Sequence, residues 1–237
     1  MNWFNSPYYH ILYKERNAQE AELFIDHLIE FLQPEKNARF LDLGCGKGRH
    51  SVYLNKKGYH VAGVDLSPEN IAYATQFENE SLRFYIQDMR KTGRINYFDY
   101  VLNLFTSFGY FEKESDDYAT INAVSKALKT GGIFVLDFMN VQKVLANLIP
   151  YETKICEDIE FKITRSISNN FIIKQIQFSD QGKKYNFQER VKVLTIADFE
   201  KYFAANKLKV LHLKGSYQLE KFNPNTSDRL IMIMVSC

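Results

Sequence analysis

Gly44, Gly46 and Gly48 stand at alternate positions between an apolar run, Phe40-Leu41-Asp42-Leu43, and the stretch Ser51-Val52-Tyr53-Leu54, which reads as the first turns of a helix. A buried strand, a glycine turn and a helix start form a ligand-holding corner of α/β proteins. Glycine lets the main chain approach a ligand with no Cβ between them, and the free amides at the helix start favour an anionic group. The spacing excludes two ligands. A dinucleotide fingerprint would need its third glycine at Arg49, and a P-loop would need Ser or Thr after Lys47, where Gly48 stands. About 20 residues beyond the first glycine, a second apolar stretch, Tyr59 to Val64, ends in Asp65.

The pattern D-x-G-x-G-x-G from Asp42 to Gly48 resembles motif I of the class I, Rossmann-like S-adenosylmethionine (SAM)-dependent methyltransferases. Asp65 and the turn Leu66-Ser67-Pro68-Glu69-Asn70 are similar to the family's continuation into its next helix. The resemblance covers about residues 36–138 and 195–236. It implies that Gly44, Cys45, Gly46 and Gly48 approach the methionine part, with Asp42 near the ammonium. Asp65, followed by Leu66, would take both ribose hydroxyls, since a carboxylate suits a diol. Asp88 with Met89 would hold the adenine, and Asn103 to Thr106, including Phe105, would form the floor under the methyl group.

The elements that must position these residues follow from periodicity. A helix is expected from about residue 19 to 32, with Ala21, Phe24, Ile25, Leu28, Ile29 and Leu32 at helical spacing. Strand and helix then alternate: strands at 39–43, 59–65, 82–86, 100–105 and 133–138, helices at 47–57, 68–77 and 115–128, and a short helix at 141–148. Ser67 and Pro68 suit a cap and a first turn, and Lys129-Thr130-Gly131-Gly132 suits a helix stop. Alternation of this kind implies a parallel sheet. Residues 159–164, 171–178 and 185–193 instead alternate as an antiparallel meander, separated by turn residues. A helix at 196–205 capped by Thr195, then strands at 208–213 and 230–235, complete the chain. The non-helical loop between those last strands makes them an antiparallel hairpin. The expected fold is α/β: a doubly wound, mostly parallel seven-stranded sheet with a C-terminal antiparallel hairpin, plus an inserted antiparallel β meander acting as a lid. The expected units are 1–35, an N-terminal flap and helix; 36–150 with 195–237, the SAM-binding domain; and 151–194, the lid. An alternative for the meander is a dimerisation surface.

Residues 1–17 carry Tyr8, Tyr9, Tyr13 and Arg16. They resemble the flap that closes over the cofactor in small-molecule methyltransferases, which puts Tyr13 and Arg16 beside SAM; the alternative is tyrosines that only pack. Methyl transfer needs a base only if the nucleophile arrives protonated. The candidates for a catalytic or acceptor-contacting role are His10, Glu189, Arg190, His212 and a tyrosine, while His27, His50 and His60 read as packing. In the last meander strand Glu189 shares a face with Val191 and Val193, and Gln188 shares the other with Arg190.

A net charge of +2 supplies no basic stripe for nucleic acid. Asn103 is followed by Leu104-Phe105, not by the Pro-Pro-Tyr/Phe of amino-group methylases of adenine or glutamine, and the Pro-Cys of cytosine carbon methylases is missing. A small-molecule acceptor is therefore expected. RNA or protein acceptors, a SAM-binding protein without turnover and an NAD-type oxidoreductase are the alternatives. Cys45, Cys156 and Cys237 lie far apart, with neither a disulfide framework nor a metal-ligand spacing. Cys45 suits a packing role in the turn. No signal peptide and no membrane-spanning run is written, so a cytoplasmic protein is expected.

Overall fold

The computed structural model describes residues 3–14, 18–91 and 93–237. After α1 (Pro7–Leu12) and α2 (Ala18–Leu32) the chain alternates β1 (Arg39–Leu43), α3 (Arg49–Lys56), β2 (His60–Asp65), α4 (Pro68–Ala74), β3 (Leu82–Ile86), β4 (Phe98–Asn103), α5 (Glu114–Ala127), β5 (Leu128–Met139) and α6 (Val141–Ala146). Four strands follow: β6 (Tyr151–Cys156), β7 (Ile159–Ser168), β8 (Phe171–Asp180) and β9 (Lys183–Lys192). Then come α7 (Ile196–Ala204), β10 (Leu208–Lys214) and β11 (Arg229–Ser236).

Seven strands form one sheet in the order β10-β11-β5-β4-β1-β2-β3. β1 to β5 are parallel, and β11 runs antiparallel between β5 and β10. The chain winds outward from β1 to β3, then returns to the other side of β1 for β4. This reversal opens a crevice at the carboxyl ends of β1 and β4, where ligands of such sheets bind. The glycine turn lies at that edge.

Alternation along the strands separates two cores. Phe40 packs with Phe24, Ile25, Leu28, Leu54 and Ile71 on one face. Leu41 and Leu43 pack with Ile121, Val124, Phe134, Phe199 and Phe203 on the other. Local chemistry fixes several helix starts: the Ser67 hydroxyl accepts from the Asn70 amide ahead of α4, and Thr195 with Asp198 forms a capping box on α7.

β6 to β9 form a separate antiparallel sheet in sequential order. Its apolar face, with Phe161, Ile163, Ile176 and Phe178, is filled by Trp3 and Leu12, making a third core. The N-terminal segment therefore packs on this sheet. Ser6 and Pro7 begin a short helix there, α1; the Ser6 hydroxyl accepts from the Tyr8 amide. The meander has one strand more than its periodicity implies. β6 is an edge strand whose residues alternate between exposed and half-buried, so no apolar face marks it. β4 also stops at Asn103, two residues short of the expected end, because Phe105 and Thr106 turn left-handed.

Candidate functional site

The glycine turn is tied to the end of β2 by a single carboxylate. Asp65 Oδ2 accepts from the Gly46 amide at 2.9 Å, and Oδ1 accepts from the Ser67 amide at 2.8 Å. A carboxylate accepts more than two hydrogen bonds, so Asp65 retains lone pairs for a ligand. Gly46 has φ +55° and a Cβ there would meet nothing among the described residues, so the turn presents bare backbone. Gly44, at φ +80°, admits a different neighbour: a Cβ would lie 2.8 Å from Ser107 Cβ, so glycine lets the loop after β4 close onto the turn. Gly48 is the residue preceding α3. Leu66, directly after Asp65, is 69% exposed, an apolar side chain left uncovered beside the acid.

Asp42, expected near the ammonium, lies within the domain. It is buried, and its carboxylate accepts from the Ser51 hydroxyl of α3 at 2.6 Å. Burial pushes its pKa up to about 6. Its carboxylate is engaged inside the domain, as the acceptor that ties down the helix behind the turn. Cys45 is buried too, packed among the α2–α4 core, and burial keeps its thiol protonated. Asp88 is engaged by its own neighbour: Arg90 Nε lies 3.0 and 3.1 Å from its two oxygens, which holds the carboxyl below its usual range. Met89 packs against the α5 side of the sheet. Asn103 is buried; its Nδ2 donates to the Leu43 carbonyl at 2.7 Å, while its Oδ1 has no partner among the described residues. The Phe105 ring lies between the Arg49 guanidinium, 4.2 Å away, and the rings of His50 and Tyr217.

The candidate acceptor residues separate into groups. Glu189 accepts from the Trp3 indole and from the Tyr13 hydroxyl, which itself accepts from Lys174. Tyr13 and Glu189 thus join the N-terminal segment to β9. Arg190 pairs with Glu112, in the loop before α5, and its guanidinium covers the Phe171 ring. His10 is exposed at the surface of α1. Partial shielding and then the Lys47 ammonium of the glycine turn hold its imidazole below the ordinary value. His212 is on the outer strand β10, with its ring against Phe31 of α2, apart from this assembly. Arg16 lies outside the described residues.

The pattern of a methyltransferase domain family matches residues 34–191. The chain belongs to this family. It is similar to YqeM of Bacillus subtilis (strain 168), named provisionally as a methyltransferase, at 38% identity over 53% of this chain and 51% of that protein. It is also similar to the dTDP-3-amino-3,4,6-trideoxy-alpha-D-glucopyranose N,N-dimethyltransferase of Streptomyces venezuelae, at 25% identity over 84% of this chain and 86% of that one. The fold is shared with a crystal structure of an S-adenosylmethionine-dependent methyltransferase from Clostridium acetobutylicum, with a TM-score of 0.81, 20% identity and coverage of 97% and 96% of the two chains. Against the first curated relatives the chain spans about half of their length.

The cofactor of this methyltransferase family is SAM, and the donor set fits it. Open backbone at Gly46, an acid with spare lone pairs, an uncovered apolar side chain and an Asn103 Oδ1 with no partner among the described residues lie at one sheet edge. A cavity of about 270 Å³ continues on the α5 face of the sheet, floored by Leu41, Leu43, Ala62 and Val64 and bordered by Met89. Among the described residues between β3 and β4 there is no helix to cover it. Sequence reasoning missed Ser107, Asp137 and Arg229. A signal for Asp137 existed, since an acid inside Ile133-Phe134-Val135-Leu136 and Phe138 must have a partner.

Proposed function

We propose that this chain transfers a methyl group from SAM to a small-molecule acceptor by in-line displacement. The observation that carries the reading is the Asp65 carboxylate, fastened to the Gly46 and Ser67 amides beside open backbone. Those bonds orient the acid, and its remaining lone pairs would accept the ribose hydroxyls. Leu66 and Met89 would bracket the adenine, with Asp88 sharing its carboxylate between Arg90 and the adenine amine. Asn103 Oδ1 and the Gly44 carbonyl would accept from the ammonium. Asp42 would serve indirectly, through Ser51 and the start of α3.

When bound, SAM supplies a methyl group on a positively charged sulfur, so its transfer depends on alignment and exclusion of water more than on acid–base help. Residues 103–107 would form the floor. Sheet β6–β9, with α1 packed on it, would form a lid over the acceptor, which divides the chain into 1–35, 36–150 with 195–237, and 151–194. For an acceptor that arrives protonated, His10 is the candidate base: partial shielding and then the Lys47 charge lower its pKa, which keeps the ring neutral at pH 7. Glu189 and Arg190, already engaged, are better suited to shape the lid.

Similarity over most of the chain to an amino-sugar N,N-dimethyltransferase supports a small-molecule acceptor. Three free cysteines suit a reducing, cytoplasmic location. Isothermal titration with SAM and with NAD tests the cofactor: SAM binding without NAD binding is expected, and the reverse would make the chain an oxidoreductase. Transfer of a labelled methyl to amino sugars and other small amines then tests the acceptor class, and transfer to RNA or protein alone would overturn it.

A further inference from the structure

Phe105 and Thr106, consecutive in the loop after β4, have φ of 56° and 59°. This left-handed region is unfavourable for an aromatic and more so for a β-branched residue. Such backbone persists only where its surroundings hold it. Here one buried acid holds both residues. Asp137 Oδ2 accepts from the Phe105 amide at 2.7 Å, and the Asp137 carbonyl accepts from the Thr106 amide at 3.1 Å. Asp137 is held in turn by Arg229, whose Nε donates to Oδ1 at 2.8 Å. The same guanidinium reaches the loop directly, donating from Nη2 to Thr106 Oγ1 at 2.8 Å. The ring of Phe105 stacks on Tyr217 at 4.8 Å, and Arg229 lies over the Tyr217 ring. Ser107, next in the loop, donates to the Leu104 carbonyl and abuts Gly44. The strained turn is thus fixed from β5 and β11 on one side and set against the glycine turn on the other.

Asp137 is wholly buried, and Arg229 is mostly buried, with 19% of its side chain exposed. Apolar residues of similar size would fill these positions with no desolvation cost, so a retained ion pair is a device for geometry more than for stability. From this we infer that Asp137 and Arg229 are positioning residues, which hold Phe105-Thr106-Ser107 as the floor beneath the transferable methyl group. The inference rests on reading residues 103–107 as that floor.

Three measurements test it: the resonance of bound [methyl-¹³C]SAM, the affinity for S-adenosylhomocysteine, which lacks the methyl, and amide exchange at Phe105 and Thr106. In Arg229→Met the two amides should exchange at least about tenfold faster. The bound methyl resonance should move, while S-adenosylhomocysteine affinity changes by less than about threefold. Arg229→Lys should recover part of each effect. Thr106→Ala removes one acceptor without opening the core, and carries the same test should Arg229→Met not fold; Thr106→Ser should restore the wild-type signature. A folded variant with an unmoved methyl resonance and unchanged exchange would overturn the positioning role. Failure of the wild-type protein to bind SAM or S-adenosylhomocysteine would instead overturn the proposed function.

Discussion

At the residue scale, Asp65 and Asp42 show two acids of one motif set in opposite environments. Asp65 is half-buried, tied to two amides and open on its remaining lone pairs, so it is available to a ligand. Replacing it with Ala should weaken SAM binding by about 1–3 kcal/mol, the worth of hydrogen bonds to a charged group; titration calorimetry reads this directly. Asp42 is sealed in, with its pKa raised to about 6 by burial. Its ordinary value is near 4, so between about pH 4 and pH 6 the folded state holds a proton that the unfolded state has lost. Stability contributed by this site therefore falls as pH rises through that window, and the charge costs stability at pH 7. Asp42→Asn keeps the shape and an acceptor for Ser51. It should raise unfolding free energy at pH 7 by about 1–3 kcal/mol and flatten the profile between pH 4 and 6. Denaturant titrations at several pH values check both; a less stable Asp42→Asn protein at pH 7 would mean that the carboxylate's charge is used.

At the scale of elements, β9 is fastened to α5 and to the loop before it. Lys192, at the end of β9, pairs with Asp117 inside a buried contact, and its amide donates to the Gly109 carbonyl at 2.8 Å. Gly109 has φ +92°, and a Cβ there would press on Phe138 and Val191. Arg90 links the same helix to the expected adenine loop, from Asp88 to Asp116 at 3.0 Å. α5 thus touches the loop after β3 through one carboxylate and the four-stranded sheet through the next. Burial raises the Asp117 pKa even with Lys192 opposing it, and its Oδ1 has no partner among the described residues. Lys192→Met should cost about 3–5 kcal/mol, since it leaves a buried charge uncompensated. Adding Asp117→Asn should recover much of that loss. A double-mutant cycle by chemical denaturation measures the coupling, and additive effects would show the pair to be energetically inert.

For the whole molecule, three cores divide the work. The two faces of the seven-stranded sheet carry the glycine turn and Asp65, whereas the third core, between the N-terminal segment and β6–β9, carries none of the expected SAM contacts except Tyr13. Phe161 is fully buried in that third core. Phe161→Ala should cost about 3–5 kcal/mol locally. Amide exchange should rise across residues 151–192 and in α1, while SAM affinity shifts by less than about threefold. Loss of SAM binding in a variant that remains folded would mean that β6–β9 and the glycine-turn edge of the larger sheet are one cooperative unit.

The glycine turn, Asp65, the Ser67 and Thr195 caps and the antiparallel last strand were all legible in the sequence. Each depends on period, spacing or a side chain reaching its own backbone within a few residues. The caps are bonds across three residues, and the rest is written as period and spacing along the chain, so the order of residues already contains them. β6 escaped because an edge strand has no apolar face to give it a period. Tertiary structure alone decided the rest. Nothing near Phe105 and Thr106 favours a left-handed turn; the groups that hold it come from Asp137 and Arg229, which lie 32 and 123 residues away from their partners in the loop. Glu189 meets Tyr13 across 176 residues, so its role depends on where the meander folds back. Asp42 and Asp65, alike in sequence as acids beside one turn, part only when the sheet buries one and leaves the other at its edge. Burial is a property of the packed molecule, and it determines which carboxylate remains available to a ligand.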